Sequence, residues 1–246
     1  MYSHNDAVAA ASKLQSSLDA VLRWCDCWLM QLNVSKCSVM YLGLHNPRIS
    51  YQMRERTLDC SSNIRDLGVN VTDSGKVSLH CSTVAAKARR LTGLMLRTFR
   101  SRSRNVIVPI LTSIIRPVVE YATPAWNPCL HKDINEVESV QRKVTKYIRG
   151  LTRFSYAVRL KQLGLPSLQT RRMYYDMLEC YKIVHGLVRS ECADAIALSD
   201  HHTRGYHCKL TSKLPPARLN IRKHFFVERV LPQWNALPIV VLQQDS

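Results

Sequence analysis

The residues of this sequence best suited to binding a ligand are its basic side chains, which contact anions. No acidic residue lies between Asp73 and Glu120, although basic residues recur there at helical spacing. A run of charge is usually only a solvated helix face, but cations without neighbouring carboxylates can contact phosphates. We predict phosphate contacts from Lys87, Arg89, Arg90, Arg97, Arg100, Arg104, Arg142, Lys146 and Arg149.

The positive charge is concentrated in the middle of the chain. The net charge is +17, and residues 75–174 hold 19 basic residues against 4 acidic ones. So large an excess favours an extended anionic partner, either nucleic acid or an anionic membrane surface. A helix that lies on a membrane also needs an exposed apolar face, which the basic helices lack. We expect nucleic acid as the partner and no membrane.

Histidine and cysteine could bind a metal or form disulfides, but their spacing argues against both. Residues 199–208 contain three His and one Cys in a spacing that matches no standard ligand pattern. The nine Cys are scattered without a C-x-x-C pair, as expected for reduced thiols buried as small hydrophobic groups.

The polar start of the chain lacks a secretory signal, so we expect an intracellular protein, in the nucleus or cytoplasm, without a bound metal.

The composition predicts a folded, helix-rich chain. With 246 residues and 46% hydrophobic content, the chain can bury the core of one large domain or two small ones. Only 8 residues are Gly, which leaves few sites for left-handed turns and favours helices. No run of about 18 apolar residues is present, so no bilayer span is predicted.

The first part of the chain is predicted to form one helix and a few strands. Apolar residues recur every three or four positions over residues 5–30, which indicates an amphipathic helix. Trp24 and Trp28 share one flank of that helix, where we expect packing on a sheet rather than stacking on bases. Alternating patterns bounded by turn residues predict a small antiparallel sheet from residues 37–43, 49–53 and 64–72.

From Lys76 onward the pattern is helical and predicts a bundle with one strongly positive side. Helices are expected to begin near Val77, Ser103, Ile134, Tyr156, Leu168 and Phe225. The second of these must bend or restart at Pro117, which has no backbone N–H, and Arg116 is expected to pair with Glu120. In the helix from Leu168 the core-facing stripe is expected to be Tyr174, Met177, Tyr181 and Val184.

Several short segments, in order, have a distinctive composition. They are Leu18 to Trp28, Leu32-Asn33-Val-Ser-Lys36-Cys37-Ser-Val-Met40, Asp66-Leu-Gly-Val69, Arg116-Pro-Val-Val-Glu120-Tyr121, Trp126-Asn-Pro128, Val137-Glu138-x-Val140-Gln141-Arg142, Arg159-Leu160, Leu163-x-Leu165, Arg171-Arg172, Phe225-Phe226-x-x-Arg229-Val230 and Trp234-Asn-x-Leu-Pro238. Their succession resembles the downstream part of the reverse transcriptase of non-LTR retrotransposons, the LINE-type elements of the jockey kind. The resemblance covers nearly the whole chain.

The resemblance implies a mainly α fold, in which a helical thumb bundle follows a small α+β remnant of a polymerase palm. It assigns residues 1–75 to the end of the palm and residues 76–190 to a basic thumb that holds an RNA template/DNA primer duplex. Residues 191–246 would be a C-terminal loop and a docking helix. Lys36 would occupy the late-palm lysine motif, and the strand that grips the primer end would comprise Asp66, Leu67, Gly68 and Val69.

The resemblance also implies a missing catalytic centre. The family's DNA synthesis uses two Mg²⁺ ions held by carboxylates, part of them in an Ala-Asp-Asp turn that would fall just upstream of Tyr2. We expect Asp6 to cap a helix instead of binding metal. The sequence therefore predicts a polymerase fragment without fingers or early palm that binds template/primer duplex, has no cofactor of its own and does not polymerise DNA. The alternative is a non-enzymatic host nucleic-acid-binding protein derived from a retroelement.

Overall fold

A computed structural model describes residues 4–43, 46–199, 209–217 and 220–238. The His-containing residues 200–208 and the side chain of Asp6, both considered above, lie outside the described part. Contacts divide the chain into two compact units, Met1–Lys76 and Val77–Ser246, which we call unit 1 and unit 2. Helices dominate the described residues, so the fold is mainly α.

Unit 1 is built on one long helix. Apolar residues at helical spacing form its inner face, where Ala11, Leu22 and Cys25 are buried. The side chain of Gln15 bonds both the N–H and the C=O of Gln52, at 3.0 and 2.8 Å, and so attaches the helix to a strand. The elements are α1 (His4–Cys27), β1 (Ser38–Val39), β2 (Gln52–Met53), β3 (Arg56–Thr57), β4 (Asp59–Cys60), β5 (Asn63–Asp66) and β6 (Val69–Thr72).

The strands of unit 1 pair two by two, whereas one antiparallel sheet was predicted. β1 pairs in parallel with β4, while β2 with β3 and β5 with β6 are antiparallel. The predicted single strand at residues 64–72 is wrong, because these residues form the hairpin of β5 and β6, which turns at Leu67 and Gly68 with φ of 43° and 88°. Positive φ at both central residues matches the twist of a two-residue hairpin, and Gly68 adopts it without strain.

Trp24, in α1, and Trp28, just after its end, do not pack on a sheet as expected. Trp24 is 55% exposed and Trp28 is 68% exposed, and their rings contact each other with centroids 6.4 Å apart. The helix buries the side that carries Ala11 and Cys25, which lies roughly 100° round the axis from the tryptophans at 3.6 residues per turn. The apolar face of α1 is therefore wider than the short strands cover.

Unit 2 consists mainly of helices. α2 and α6 lie side by side in the same direction, since Ser78 donates to Asp133 near their starts (2.6 Å) and Arg89 donates to Ser139 further along (3.2 Å). No helix among the described residues is long and apolar enough to cross a membrane. The elements are α2 (Ser78–Thr98), α3 (Arg104–Ile110), α4 (Arg116–Glu120), α5 (Thr123–Trp126), α6 (His131–Lys146), α7 (Tyr156–Leu163), α8 (Leu168–Val184), α9 (Glu191–Asp194), β7 (Ile196–Leu198), β8 (Leu210–Ser212) and α10 (Phe226–Asn235).

The helix that begins at Arg104 departs from α geometry just before Pro117, where the sequence predicted a bend or restart. Between α3 and α4, residues Leu111–Ile115 form a π-helical turn. Pro117 has no N–H to donate to the carbonyl of Ser113, and its ring would clash with that carbonyl in a regular α-helix. The wider π turn accommodates the proline, so the helix that begins at Arg104 continues to Glu120 without breaking.

A hydrophobic cluster joins α10, β7 and β8 to α8. Val230 and Trp234 of α10 pack against Cys180 of α8 and against β7 and β8, a strand pair that the sequence did not predict. Asn235 accepts the N–H of Leu210 and donates to its C=O, both at 2.9 Å. The amide thus completes the backbone hydrogen bonds of β8 at the point where α10 ends.

The hairpin turn of unit 1 yields a test of its backbone conformation. Leu67 holds a left-handed conformation, which costs a side chain with a Cβ about 1 kcal/mol and which Asn tolerates better. We expect Leu67→Asn to stabilise the hairpin and to slow amide hydrogen exchange in residues 63–72 roughly fivefold. Val71→Asn, in a strand, is the control and should bring no such slowing. Faster exchange in Leu67→Asn would contradict the assigned turn.

Candidate nucleic-acid interface

A buried polar network fixes the helices that carry the basic side chains. At its centre, Gln141 of α6 is fully buried. Its carbonyl accepts from Arg116 Nε at 2.9 Å, and its amide donates to the Tyr156 hydroxyl (3.0 Å) and to Pro166 O (2.9 Å). One side chain therefore connects α4, α6, the start of α7 and the turn before α8.

Glu138, one turn before Gln141, caps the N-terminus of α8 from outside that helix. Its carboxylate accepts the N–H groups of Leu168 (3.1 Å) and Gln169 (3.2 Å) and a hydrogen bond from the Tyr156 hydroxyl. A carboxylate at a helix N-terminus satisfies free donors and complements the helix dipole. Burial first, and then the bond to Glu138, raise the pKa of Tyr156 far above its usual value, so the phenol remains a donor.

The predicted ion pair of Arg116 with Glu120 is wrong, because each residue has another partner. Arg116 bonds Gln141 and, at 3.4 Å, Pro166 O. Glu120 instead receives Arg171 Nε at 2.5 Å and Arg171 Nη2 at 2.9 Å, together with the Tyr175 hydroxyl at 3.1 Å. The bond between α4 and α8 is thus a bidentate salt bridge across 51 positions of sequence.

Asp176 joins three separate parts of unit 2. It is completely buried, and its carboxylate accepts Arg229 Nε at 2.9 Å, Arg229 Nη2 at 2.8 Å and Asn127 Nδ2 at 2.6 Å. Arg229 also donates to Pro124 O, and Arg172 Nε donates to Asn127 Oδ1 at 3.2 Å. The helices α8 and α10 and the corner around α5 are therefore held by one buried charge pair.

The sequence did not predict that the polar and charged residues of this network are buried. Sequence periodicity locates stripes of apolar residues and treats polar residues as exposed. The stripe expected on α8 is wrong at Tyr174, which is 61% exposed. The buried line of α8 instead carries two charged residues among apolar ones: Leu168, Arg172, Asp176, Cys180 and Ile183. The contacts of Arg116, Glu138 and Gln141 join helices of unit 2, which supports an architectural role for these residues of the resemblance.

Of the predicted phosphate contacts, two have structural partners. Arg89 is partly exposed and donates to Glu136 Oε1 (3.4 Å) and to Ser139. Arg104 donates to the carbonyls of Gln162 and Leu163 at 3.1 and 3.3 Å, where α7 ends. At a helix C-terminus, a cation such as Arg104 satisfies free carbonyls and complements the dipole. Arg89 instead joins α2 to α6, so both arginines contribute to packing within unit 2.

The remaining predicted cations lie open to solvent. Arg142 is exposed and lies over the Tyr156 ring, 5.3 Å from its centroid. Within the described residues, the other side chains are exposed and have neither a hydrogen bond nor an ion pair: Lys87, Arg90, Arg97, Arg100, Lys146 and Arg149. No acid occurs in residues 74–119 or 139–175, so no nearby carboxylate in sequence neutralises them.

The C-terminal ends of α2 and α6 are joined at one place, which we call the basic end. The N–H of Arg149 donates to Arg102 O at 2.9 Å, and the Arg102 guanidinium donates to the carbonyls of Leu96 and Phe99. This junction places one set of exposed cations together: Arg97, Arg100, Lys146, Arg149 and Arg153. Arg153 is not among the predicted phosphate contacts, although the absence of acidic residues from 139 to 175 is a signal that points to it.

The predicted site residues of unit 1 are exposed, except for the half-buried Val69. Lys36 is exposed at the end of the 3-10 turn Val34–Lys36, whose start Asn33 caps by accepting the N–H of Ser35 at 3.1 Å. Asp66, Leu67, Gly68 and Val69 form the hairpin turn and the strand ends beside it, so the expected primer-gripping strand is a turn. Among the described residues, no group of three or more His, Cys, Asp or Glu could hold a metal ion.

The cysteines divide into buried and exposed thiols, whereas all were expected to be buried. Cys81 and Cys180 are fully buried, and burial is the largest cause that raises the pKa of each thiol to about 12. Three others are exposed, so the expectation is wrong for Cys27, Cys60 and Cys129. The described cysteines are all free thiols.

Comparison with known proteins does not identify a family for this chain. Neither protein-family models, nor curated proteins, nor solved structures give a match to this chain.

The buried charge pair of unit 2 predicts a large loss of stability when one partner is removed. Arg229→Met leaves the buried Asp176 carboxylate without its cation, which typically costs about 3 to 5 kcal/mol. Urea unfolding followed by circular dichroism measures the change. The matched control is Lys182→Met, which breaks the partly exposed pair with Glu179 (3.9 Å) and should cost at most about 1 kcal/mol. Equal effects of the two substitutions would contradict the account of Asp176.

The thiols predict a pattern of alkylation. At pH 8, Cys81 and Cys180 should resist iodoacetamide because both are buried and their raised pKa keeps them protonated, while the exposed Cys27, Cys60 and Cys129 react. Peptide mass spectrometry assigns each modified position, and the chain unfolded in urea, in which every cysteine should react, is the control. Rapid modification of Cys81 in the folded chain would show that α2 and α6 do not pack as described.

Proposed function

We propose that unit 2 binds the phosphate backbone of a nucleic-acid duplex through the exposed cations of α2 and α6. The observation that carries the proposal is the set of open guanidinium and ammonium groups in segments that contain no carboxylate. Such cations release counterions from phosphates when they bind, which drives association. Phosphate contacts carry no base information, so binding is expected to be independent of sequence.

The resemblance to non-LTR reverse transcriptases supports a more specific form of this proposal. Residues 76–190 then correspond to the helical thumb that holds an RNA template/DNA primer duplex, and residues 191–246 to a C-terminal loop and docking helix. Residues 1–75 correspond to a palm remnant with Lys36 and the hairpin turn Asp66-Leu-Gly-Val69. The residues of the resemblance that lie in unit 2, such as Arg116, Glu138 and Gln141, belong to the buried network. Their role in this proposal is to hold the basic helices in place.

In the same proposal the chain binds duplex without polymerising DNA. It represents a fragment of an RNA-directed DNA polymerase in which the intact enzyme's Mg²⁺ and its carboxylate ligands are contributed elsewhere. A non-enzymatic host protein derived from a retroelement is the alternative. Both make the same contacts with nucleic acid, and an in-frame Ala-Asp-Asp turn in the genomic sequence upstream favours the first.

Removal of exposed cations tests the binding proposal. We expect Arg90→Ala with Arg97→Ala to weaken binding to an RNA–DNA hybrid on the order of tenfold, by the same factor for unrelated base sequences. Fluorescence anisotropy with end-labelled hybrids measures the affinity. Lys182→Ala, whose ammonium is already opposed by Glu179, is the matched control and should bind like the unaltered chain. The proposal fails if the double variant also keeps full affinity.

Primer extension tests the catalytic part. With an RNA template, a DNA primer, Mg²⁺ and all four deoxynucleotides, the chain is expected to give no extension above background, because the proposal assigns the metal-binding carboxylates to segments outside it. An active reverse transcriptase in a parallel reaction is the control. Nucleotide incorporation by the purified chain would overturn the assignment.

A further inference from the structure

The basic end also carries aromatic rings that face solvent. Phe99 is 39% exposed, Tyr147 is 44% exposed and Phe154 is 43% exposed. Each follows the C-terminus of a helix or lies in the turn after it: Phe99 is the C-cap of α2 and Tyr147 is the C-cap of α6. Three of the exposed aromatic side chains of unit 2 are therefore in the segments that carry the exposed cations.

Hydrogen bonds hold these three segments together. Arg102 donates to Phe99 O and accepts the N–H of Arg149, two residues after Tyr147. The turn with Phe154 is fixed by Thr152 Oγ1, which donates to Lys146 O at 3.2 Å. Arg159 donates to Phe154 O at 3.2 Å and to Arg142 O at 3.1 Å. The rings thus project from a fixed backbone and not from separate loops.

These partly exposed rings have no ring or cation partner of their own. Within the described residues, Phe99, Tyr147 and Phe154 neither stack on another ring nor lie under a guanidinium group. Tyr174, by contrast, lies edge-on to Tyr175, 5.8 Å between centroids. Single exposed rings are common on protein surfaces and need no explanation. Here three partly exposed rings lie in the same short segments as five exposed cations, with no acid in the adjoining sequence, and together they form a surface of a different kind.

We propose that the basic end binds single-stranded nucleic acid, with its cations on the phosphates and unpaired bases stacked on Phe99, Tyr147 and Phe154. Proteins that bind single strands combine a positively charged groove with aromatic platforms, because every base has a π-face. Bases inside a duplex are already stacked on each other and cannot use these rings. The inference rests on the proposed function for its phosphate contacts and extends it to the unpaired strand that adjoins a duplex end.

Direct titration separates this inference from the proposed function. The full chain is titrated with three end-labelled probes: a 15-nucleotide unstructured single strand, a blunt duplex, and the same duplex with a single-stranded overhang. The variant that carries Phe99→Ala, Tyr147→Ala and Phe154→Ala should bind the single strand on the order of a hundredfold more weakly and the blunt duplex unchanged, since each stacked base contributes at least about a fivefold factor in affinity. Tyr174→Ala is the matched control and should bind all probes like the unaltered chain.

The outcomes are distinct. Unchanged affinity of the triple variant for the single strand overturns the inference, whereas failure of the unaltered chain to bind the blunt duplex overturns the proposed function alone. A gentler variant, Tyr147→Trp, guards against loss of folding. It should retain affinity, and its added indole emission should be quenched by the single strand and not by the blunt duplex. Equal quenching by both probes would also count against stacking.

Discussion

The fold of unit 2 depends on a buried carboxylate, that of Asp176. A fully buried charge is tolerated only when it is paired and hydrogen-bonded, and here Arg229 and Asn127 satisfy it. Because these partners come from α10 and from the corner after α5, the pair positions α8 against both. Glu138 of α6 also caps the N-terminus of α8, so the orientation of α6 relative to α8 follows.

The positions of the exposed cations follow from the way these buried contacts orient the helices. α6 buries Val137, Val140 and Val144 on one side, together with Gln141, and so must present Arg142 and Lys146 on the other. The sequence predicted this division correctly, because apolar residues three and four positions apart define the core face of a helix. At Pro117 the sequence predicted a bend or restart, and the structure instead has a π turn at Leu111–Ile115, directly before the proline.

The buried charged residues and their pairings were not predicted, because they depend on partners distant in the chain. Arg172 and Asp176 occupy buried positions of α8, yet periodicity treats them as polar and therefore as exposed. Glu120 pairs with Arg171 and not with the nearer Arg116, because tertiary packing decides between a partner four positions away and one 51 positions away. In unit 1 the hairpin at Leu67 and Gly68 was taken for one strand, since its alternating pattern continues through the turn.

The central claim is that exposed cations of unit 2 contact phosphates, and the salt dependence of binding measures this most directly. Titration of the unaltered chain with an RNA–DNA hybrid at several concentrations between 50 and 200 mM salt gives the slope of log affinity against log salt. About six phosphate contacts predict a loss of affinity on the order of 10³-fold over this range. An affinity that does not change with salt would contradict the claim.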